Sequence, residues 1–359
     1  MLRSKANWFL HFIVRFLFRL PYTLFKSGVP KLNDLNSEWI VWTPSLWHIR
    51  FMVNDQFIKS LAVYHYLKQN GCNVSLFTKK NIGICFRKKI IFFAYNWFDM
   101  YSFSNYASIF HFITSNLEMQ NNLVFPSSYE VKLWENKAYM YEMFSRFHIR
   151  SPKTKIISIS EKLDENSLEN LGFPLLVKEE HSYGSLGIRL VNNYKEVFFL
   201  LEDQEFRKRN KHLILQELLN IHRDLRVILV GGNIVWHYWR INLDSEWRPT
   251  STSLGSQLEF ENFPRKWKEW ILDMFSRLNI ITGAFDIAWQ NDDLESEPYI
   301  LEVSPFYQPN PKPRFDRNLR EYGKWKRSID FIDFYHKGYI DLEFCIQKHL
   351  IDELLHRWT

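Results

Sequence analysis

The fold is decided by residues 283–304, GAFDIAWQNDDLESEPYILEVS, in which two short apolar runs flank a polar segment. Runs of this length, rich in β-branched and aromatic residues, are typical of strands, and the polar residues between them predict a turn. We expect the two strands to pair antiparallel. In the register that pairs Phe285 with Val303, Asp286 lies directly opposite Glu302.

The facing carboxylates of Asp286 and Glu302 make this hairpin a candidate metal site. Like charges directly opposite each other among apolar neighbours destabilise a sheet. A divalent cation removes the conflict, and Mg²⁺ takes carboxylate oxygens together with the phosphate oxygens of a substrate. The alternative interpretation is a solvated sheet face without a metal.

A second candidate site lies at the end of the predicted strand FPLLVK, which closes with Lys178. The loop HSYGSLGI follows, and seven of the twelve glycines of the chain fall between Gly172 and Gly283. An ammonium group beside a loop rich in free backbone N–H groups suits a polyphosphate. The alternative is an ordinary strand turn with a surface lysine.

Two arginines, Arg226 in HRDLRV and Arg240 in YWRIN, lie in predicted strands between these sites. Guanidinium groups bind phosphate or carboxylate oxygens in pairs and neutralise charge that develops during phosphoryl or acyl transfer. Taken singly, each arginine is more often part of a surface ion pair.

Composition excludes several classes of protein. The 359 residues are 46% hydrophobic and 24% charged, which excludes disorder over most of the length and predicts more than one domain. The net charge is +6, but the basic residues are dispersed along the chain and interspersed with acidic ones, so a nucleic-acid partner is not expected. The three cysteines are far apart and lack zinc-site spacing, which favours a reducing cytoplasm.

The pattern along the chain predicts an α/β first domain, because residues 37–78 read as strand, helix and strand. GICF and KIIFFAY are expected to add further strands. Gly231 and Gly232 predict a tight hairpin, since a type I′ turn needs positive φ at two positions. A final helix is expected over residues 341–357, packed as a lid or as a contact in a homo-oligomer.

The amino-terminal segment, residues 7–26, is apolar but interrupted by Arg15 and Arg19, so it is not expected to cross a bilayer. His11, Arg15 and Arg19 recur at helical spacing and form one polar stripe. That pattern indicates a helix lying in a lipid interface. A helix packed on protein and a secretory signal are the alternatives.

Chemistry-bearing residues occur along the chain in a characteristic order: Lys137, Lys178 with its glycine loop, Glu217, Leu218, Leu219, Asp224, Arg226, Arg240, Asp286 and Glu302. This order resembles the ATP-grasp superfamily, particularly its carboxylate-amine ligases, such as glutathione synthetases and ribosomal-protein glutamate ligases. The resemblance covers residues 37–313 and is strongest over residues 173–305.

The resemblance implies an α/β fold, α+β in the carboxy-terminal lobes, with ATP-grasp architecture and a Rossmann-like domain before it. The implied divisions are an amphipathic helix, the first α/β domain, a central lobe with the glycine flap, a lobe with the metal ligands and a helical tail, at residues 1–29, 30–125, 126–220, 221–315 and 316–359.

The resemblance also implies the nucleotide contacts. Lys137 and Lys178 would contact ATP phosphates, and Gly184, Ser185 and Gly187 would belong to a flexible flap over them. The backbone at Glu217, Leu218 and Leu219 would bracket adenine, with Asp224 near the ribose.

In the reaction that the resemblance implies, ATP phosphorylates a carboxylate and an amine attacks the acyl phosphate. Arg226 and Arg240 would face the transferred phosphate or the acyl substrate, and Asp286 with Glu302 would bind Mg²⁺. The family usually has asparagine two residues after the glutamate, but here Ser304 stands there, which puts a second metal site in doubt; Asn310 is a candidate replacement.

Two other functions stay open: a kinase of the same fold, and a nucleotide-binding relative without activity. The expected substrates are a small-molecule or glycan carboxylate and an amine, whose identities cannot be read from the sequence. The aromatic first domain and basic start favour a cell-envelope or saccharide precursor, handled in the cytoplasm at the inner face of the membrane; a small soluble acid, with the first helix merely packed on protein, is an equal alternative.

Overall fold

A computed structural model of the chain describes residues 13, 15–43, 55–79, 81–93, 103–160, 168, 171–182, 187–244, 246–312, 322 and 335–358. Every structural statement below concerns this part of the chain.

The first domain is built on a parallel sheet of four strands in the order β2-β1-β3-β4. The strands are β1 Trp39–Trp42, β2 Val74–Phe77, β3 Lys89–Phe92 and β4 Leu123–Phe125. The helices of this part of the chain are α1 Leu20–Ser27, α2 Asp55–Gln69 and α3 Phe103–Met119. The predicted strand-helix-strand unit is confirmed, since β1 and β2 pair in parallel and α2 connects them.

One predicted strand in this domain is wrong. GICF forms a 3₁₀ turn over Ile82–Ile84 instead. Cys85 is buried, and its backbone carbonyl accepts a hydrogen bond from the Asn122 side chain at 3.0 Å. Ile84 and Phe86 of this run are exposed, at 42% and 59%, so its apolar character does not reflect strand pairing, which a short apolar run alone does not establish.

The central part of the chain forms an antiparallel sheet in the order β5-β8-β6-β7. Its strands are β5 Thr154–Ser158, β6 Leu175–Lys178, β7 Ile188–Val191 and β8 His212–Glu217. Helices α4 Ser128–Glu135 and α5 Lys137–Arg146 precede it, and α6 Tyr194–Glu202 and α7 Gln204–Arg209 lie between β7 and β8. Val177, Val197 and Leu215 belong to its core.

The third sheet has five antiparallel strands in the order β11-β10-β9-β12-β13. The strands are β9 Arg223–Val230, β10 Asn233–Ile241, β11 Gln257–Glu259, β12 Thr282–Ala288 and β13 Tyr299–Ser304, and α8 Lys268–Arg277 precedes β12. Gly231 and Gly232 have φ of 54° and 77°, which confirms the tight turn. The predicted pairing of Asp286 with Glu302 is also confirmed.

The carboxy-terminal helix α9 Tyr335–Trp358 begins six residues before the predicted start. It packs against α2, and Leu350, Ile351 and Leu354 join the core of the first sheet. This helix is thus part of the first domain's core.

The amino-terminal helix packs with its polar side inward. A π-helical turn over Arg15–Arg19 leads into α1, while residues 7–12, including His11, lie outside the described residues. Arg19, Thr23 and Ser27, spaced four residues apart, are buried. The Arg19 guanidinium lies 5.1 Å from the centre of the Tyr339 ring, and Lys26 contacts Asp341 at 2.6 Å.

Leu20 and Leu24 pack on the core of the first sheet, but other apolar side chains of the same segment face outward, with Leu17 57% exposed, Phe18 55% and Phe25 86%. The predicted stripe that includes Arg19 therefore anchors the helix to the protein. Within the described part of the chain, none of the helices has the length and hydropathy that a bilayer-crossing helix requires.

Candidate functional site

The predicted site residues converge on a cavity of about 410 Å³ between the central and third sheets. Those that line it are Lys178, Glu217, Leu218, Leu219, Asp224, Arg226, Arg240, Asp286, Glu302, Ser304 and Asn310. The topology explains the convergence, because β6, β8, β9, β10, β12 and β13 all contribute residues to the wall. Lys137 joins them from the first turn of α5, with Nζ 3.9 Å from the Glu302 carboxylate.

Asp286 lies between two arginines. Its Oδ1 accepts a hydrogen bond from Arg226 Nε at 2.8 Å, and its Oδ2 lies 2.8 Å from an Arg240 terminal nitrogen. Burial alone would raise the pKa of Asp286, but the two guanidinium groups hold that pKa below its ordinary value.

The expectation that the facing carboxylates of Asp286 and Glu302 need a divalent cation is therefore corrected. The charge of Asp286 is already compensated by arginine, so its position opposite Glu302 does not by itself require a cation. The partners come from β9 and β10, and β9 is paired with β12 on the side away from β13. The sequence of the β12–β13 hairpin alone does not reveal which strand pairs with the other edge of β12.

Asp224 is the second carboxylate of this cluster. It is directly opposite Arg240 in the β9–β10 pair and binds that guanidinium through both of its oxygens. Thr250 donates a further hydrogen bond to Asp224 at 2.7 Å. A contact of Asp224 with ribose stays a prediction, and it would add to the hydrogen bonds that this carboxylate already accepts.

Lys178 is 6% exposed at the end of β6. Its Nζ donates a hydrogen bond to the Tyr141 hydroxyl at 2.7 Å. Burial lowers the pKa of Lys178 from 10.5 to about 8, although Glu302 and Asp286 act in the opposite direction. Because the ammonium group is shielded from water, an anionic ligand would strongly stabilise its charged form.

The donors at the hairpin fit a hard cation. Asp286 and Glu302 present carboxylates at facing positions, that of Asp286 also bound by Arg226 and Arg240, and the buried Ser304 adds a hydroxyl two residues further along β13. Mg²⁺ prefers oxygen ligands and completes its shell with water and phosphate. In the described residues there is no cluster of three or more His, Cys, Asp or Glu side chains suited to a metal, so protein ligands would supply only part of the shell.

The predicted flap is described only at its end. Gly184 and Ser185 lie outside the described residues. Gly187 has φ of +79°, and its carbonyl accepts a hydrogen bond from the Glu179 backbone at 2.9 Å. A Cβ at this position would lie 2.9 Å from the Glu179 Cβ, so both the backbone conformation and the space require glycine.

Several cavity residues were not found from the sequence. They are the aromatic residues Trp134, Trp247, Phe306 and Tyr307, together with the segment Arg248 to Thr252. Trp134 and Phe306 pack with ring centroids 4.8 Å apart. A high aromatic content was the only signal, and it does not distinguish a cavity wall from a core.

The comparisons with known proteins agree with this geometry. Residues 134–305 match the RimK-like ATP-grasp domain. An alpha-aminoadipate–LysW ligase, LysX, of Sulfurisphaera tokodaii is 30% identical over 190 residues, which are 52% of this chain and 62% of the relative. The chain therefore spans less than two thirds of that relative's length.

Two solved structures show the same fold at low identity. The RimK domain ATP-grasp protein of Sphaerobacter thermophilus superposes with a TM-score of 0.53 at 11% identity, covering 88% of this chain and 99% of the other. A D-alanine–D-alanine ligase of Bacillus anthracis gives a TM-score of 0.53 at 14% identity, covering 89% and 99%. The predicted ATP-grasp fold is thereby confirmed.

Proposed function

We propose that the protein is an ATP-dependent carboxylate-amine ligase. The observation that carries the proposal is that Lys178, Asp286 and Glu302 line one cavity together with two arginines, inside the segment that matches the RimK-like ATP-grasp domain. A buried ammonium group suits the phosphates of a nucleoside triphosphate, and facing carboxylates suit the divalent metal ion that accompanies it.

The proposed reaction has two steps. A carboxylate oxygen of the substrate attacks the γ-phosphorus of ATP, the bond to the β-phosphate oxygen breaks, and ADP leaves. An amine nitrogen then attacks the carbonyl carbon, inorganic phosphate leaves, and the nitrogen loses a proton. The product is an amide.

The residues of this chain would bind and orient the reactants. Lys137 and Lys178 would bind ATP phosphates, while Arg226 and Arg240 would neutralise charge on the transferred phosphate or the acyl group. Mg²⁺, held by Asp286, Glu302 and Ser304, would supply charge neutralisation at the phosphates. Holding two substrates in line lowers the entropic part of the barrier.

The remaining nucleotide contacts are proposed from the same cavity. The backbone of Glu217, Leu218 and Leu219 would bracket adenine. The Glu217 side chain is held beside β5 by a hydrogen bond that it accepts from the Lys153 backbone at 2.8 Å. Asn310, buried in the cavity wall, is the candidate for a second metal ligand in place of Ser304.

Calorimetry with ATP, with and without Mg²⁺, tests the nucleotide site. Phosphate release in pools of carboxylic acids and amines, followed by mass spectrometry of the products, tests the reaction. A new amide supports the ligase. A stable phosphorylated product without an amide indicates a kinase, and the absence of Mg²⁺-dependent ATP binding overturns the proposal.

We also propose that the protein works at the cytoplasmic face of a membrane, through the segment 7–26. The support is the outward apolar side of the described part of this segment, where Leu17, Phe18 and Phe25 are exposed. The first 33 residues contain six basic residues and no acidic one; Arg19 is buried and Lys26 is paired with Asp341, so the other basic residues would supply the attraction to anionic lipid.

The proposed substrate class is a cell-envelope or saccharide precursor. Its support is the aromatic content of the cavity wall, which includes Trp134 and Trp247, because the C–H face of a sugar ring packs on aromatic rings. A membrane-bound enzyme would meet such a precursor where lipid-linked intermediates are assembled. Glycan acids and amino sugars therefore belong in the first substrate pools.

A further inference from the structure

The phenolic oxygen of Tyr141 connects three elements around the candidate nucleotide site. Tyr141 lies in α5, and its hydroxyl donates a hydrogen bond to the Leu301 carbonyl of β13 at 2.8 Å. The same oxygen accepts the hydrogen bond from Lys178 of β6 at 2.7 Å. One side chain thus ties the central sheet to the strand that carries Glu302.

The surroundings of Tyr141 leave its hydroxyl little freedom. The side chain is 4% exposed, and its ring packs edge-on against Phe144 with centroids 5.7 Å apart. The Lys178 ammonium also lies 5.3 Å from the centre of the Tyr141 ring. Because the buried hydroxyl of Tyr141 accepts a hydrogen bond from Lys178 Nζ, this tyrosine constrains the position of the ammonium group.

We propose that Tyr141 is a positioning residue, which holds the Lys178 ammonium at a fixed place relative to Glu302 and thereby sets the spacing between the phosphate-binding lysine and the metal-binding strand. The inference rests on the proposed nucleotide site for its functional meaning. Its structural part, control of Lys178 by Tyr141, is independent of any ligand.

Removing the hydroxyl has a defined consequence. In Tyr141→Phe the aromatic ring stays, but the buried ammonium loses an acceptor and the Leu301 carbonyl loses a donor. The charged form of Lys178 becomes less favourable, so the lysine should lose its proton at lower pH than in the wild type. Hydrogen bonds to charged groups are strong enough for an effect of about 10-fold or more on binding of a phosphate ligand.

Tyr139→Phe is the matched control. Tyr139 lies in the same helix, two residues away, and its ring packs edge-on against Tyr129 with centroids 6.4 Å apart. It is absent from the cavity wall, within the part of the chain that the structure describes. Both variants remove one phenolic oxygen, so a difference between them reports the hydrogen bonds of the Tyr141 hydroxyl, and a change in the titration of Lys178 distinguishes the contact with Lys178 from the contact with Leu301.

The first measurement requires no nucleotide. The full chain is acylated with a small reagent across a range of pH, and modification of the peptide that contains Lys178 is followed by mass spectrometry. We expect the midpoint to fall by about one pH unit in Tyr141→Phe and to stay in place in Tyr139→Phe. An unchanged midpoint in Tyr141→Phe overturns the inference.

The second measurement is calorimetric titration with MgATP over the same pH range. We expect Tyr141→Phe to bind more weakly by about 10-fold or more, with the loss of binding at alkaline pH moved to lower pH. Equal weakening at every pH would indicate a merely structural role and overturn the inference. If the wild type binds no MgATP, the proposed function fails, while the acylation result still decides the role of Tyr141.

Discussion

Asp286 and Arg226 are direct cross-strand partners in β12 and β9, with Asp286 Oδ1 2.8 Å from Arg226 Nε. Arg240 reaches the other oxygen of the same carboxylate from β10. The candidate metal ligand Asp286 is thus already held in place by two guanidinium groups. Its orientation is fixed before any ligand binds, which reduces the cost of ordering the site.

The first prediction concerns the stability of this cluster. Asp286→Asn removes the negative charge but leaves two buried guanidinium groups, so we expect the free energy of unfolding to fall by about 3–5 kcal/mol. Urea denaturation measures it.

Asp273→Asn is the control for that experiment. Asp273 binds Arg277 at 2.6 Å on the surface of α8, where both side chains are about half exposed, at 49% and 40%. A surface pair of this kind contributes less than about 1 kcal/mol. Equal losses in the two variants would mean that the Asp286 cluster does not stabilise the fold.

The second prediction concerns pH. Burial lowers the pKa of Lys178 to about 8, so the ammonium is present below that pH and is lost above it. We expect the contribution of Lys178 to MgATP affinity, measured by calorimetry, to be constant below about pH 8 and to fall as the pH rises further. Lys178→Met should bind MgATP weakly at every pH. Affinity in the wild type that stays constant up to pH 10 would remove Lys178 from the phosphate site.

The sequence predicted the parts of the site that depend on local pattern. The hairpin register is an example, since strand length and a polar turn suffice to place Asp286 opposite Glu302. The turn at Gly231 and Gly232 is another, because both positions have a positive φ, which glycine adopts readily.

Contacts between distant segments were not predictable in this way. Tyr141 is 37 residues from Lys178 and 160 from Leu301, and it meets them only because two sheets pack around α5. The inward polar side of the amino-terminal segment has the same cause: Arg19, in the turn before α1, is buried against the ring of Tyr339, which is far along the chain. Periodicity identifies a polar side and an apolar side of a helix, but it does not tell which side the protein covers.

The third prediction concerns Glu302. Glu302→Gln keeps the size of the side chain but removes the charge that faces Asp286 and Lys137. We expect ATP turnover, measured as phosphate release in the substrate pool that supports the wild type, to fall by at least about 100-fold. The circular dichroism spectrum should stay unchanged.

Glu295→Gln is the matched control for this variant. Glu295 lies on the same hairpin, 81% exposed and paired with Lys266. Its replacement should leave turnover at the wild-type level. Unchanged turnover in Glu302→Gln would contradict the assignment of Glu302 as a metal ligand.

The last prediction concerns the amino-terminal helix. Phe25 is 86% exposed, so replacing it by Asp should affect the fold little but should remove apolar area from the proposed lipid-facing side and add a charge that anionic lipid repels. Burying one phenylalanine contributes about 1.5–3 kcal/mol, so we expect co-sedimentation with phosphatidylglycerol vesicles to weaken by about 10-fold or more. Phe112→Asp is the control, because Phe112 is 67% exposed on α3. Equal binding of the two variants, or no binding of the wild-type chain, would mean that the exposed side of the helix does not dock on lipid.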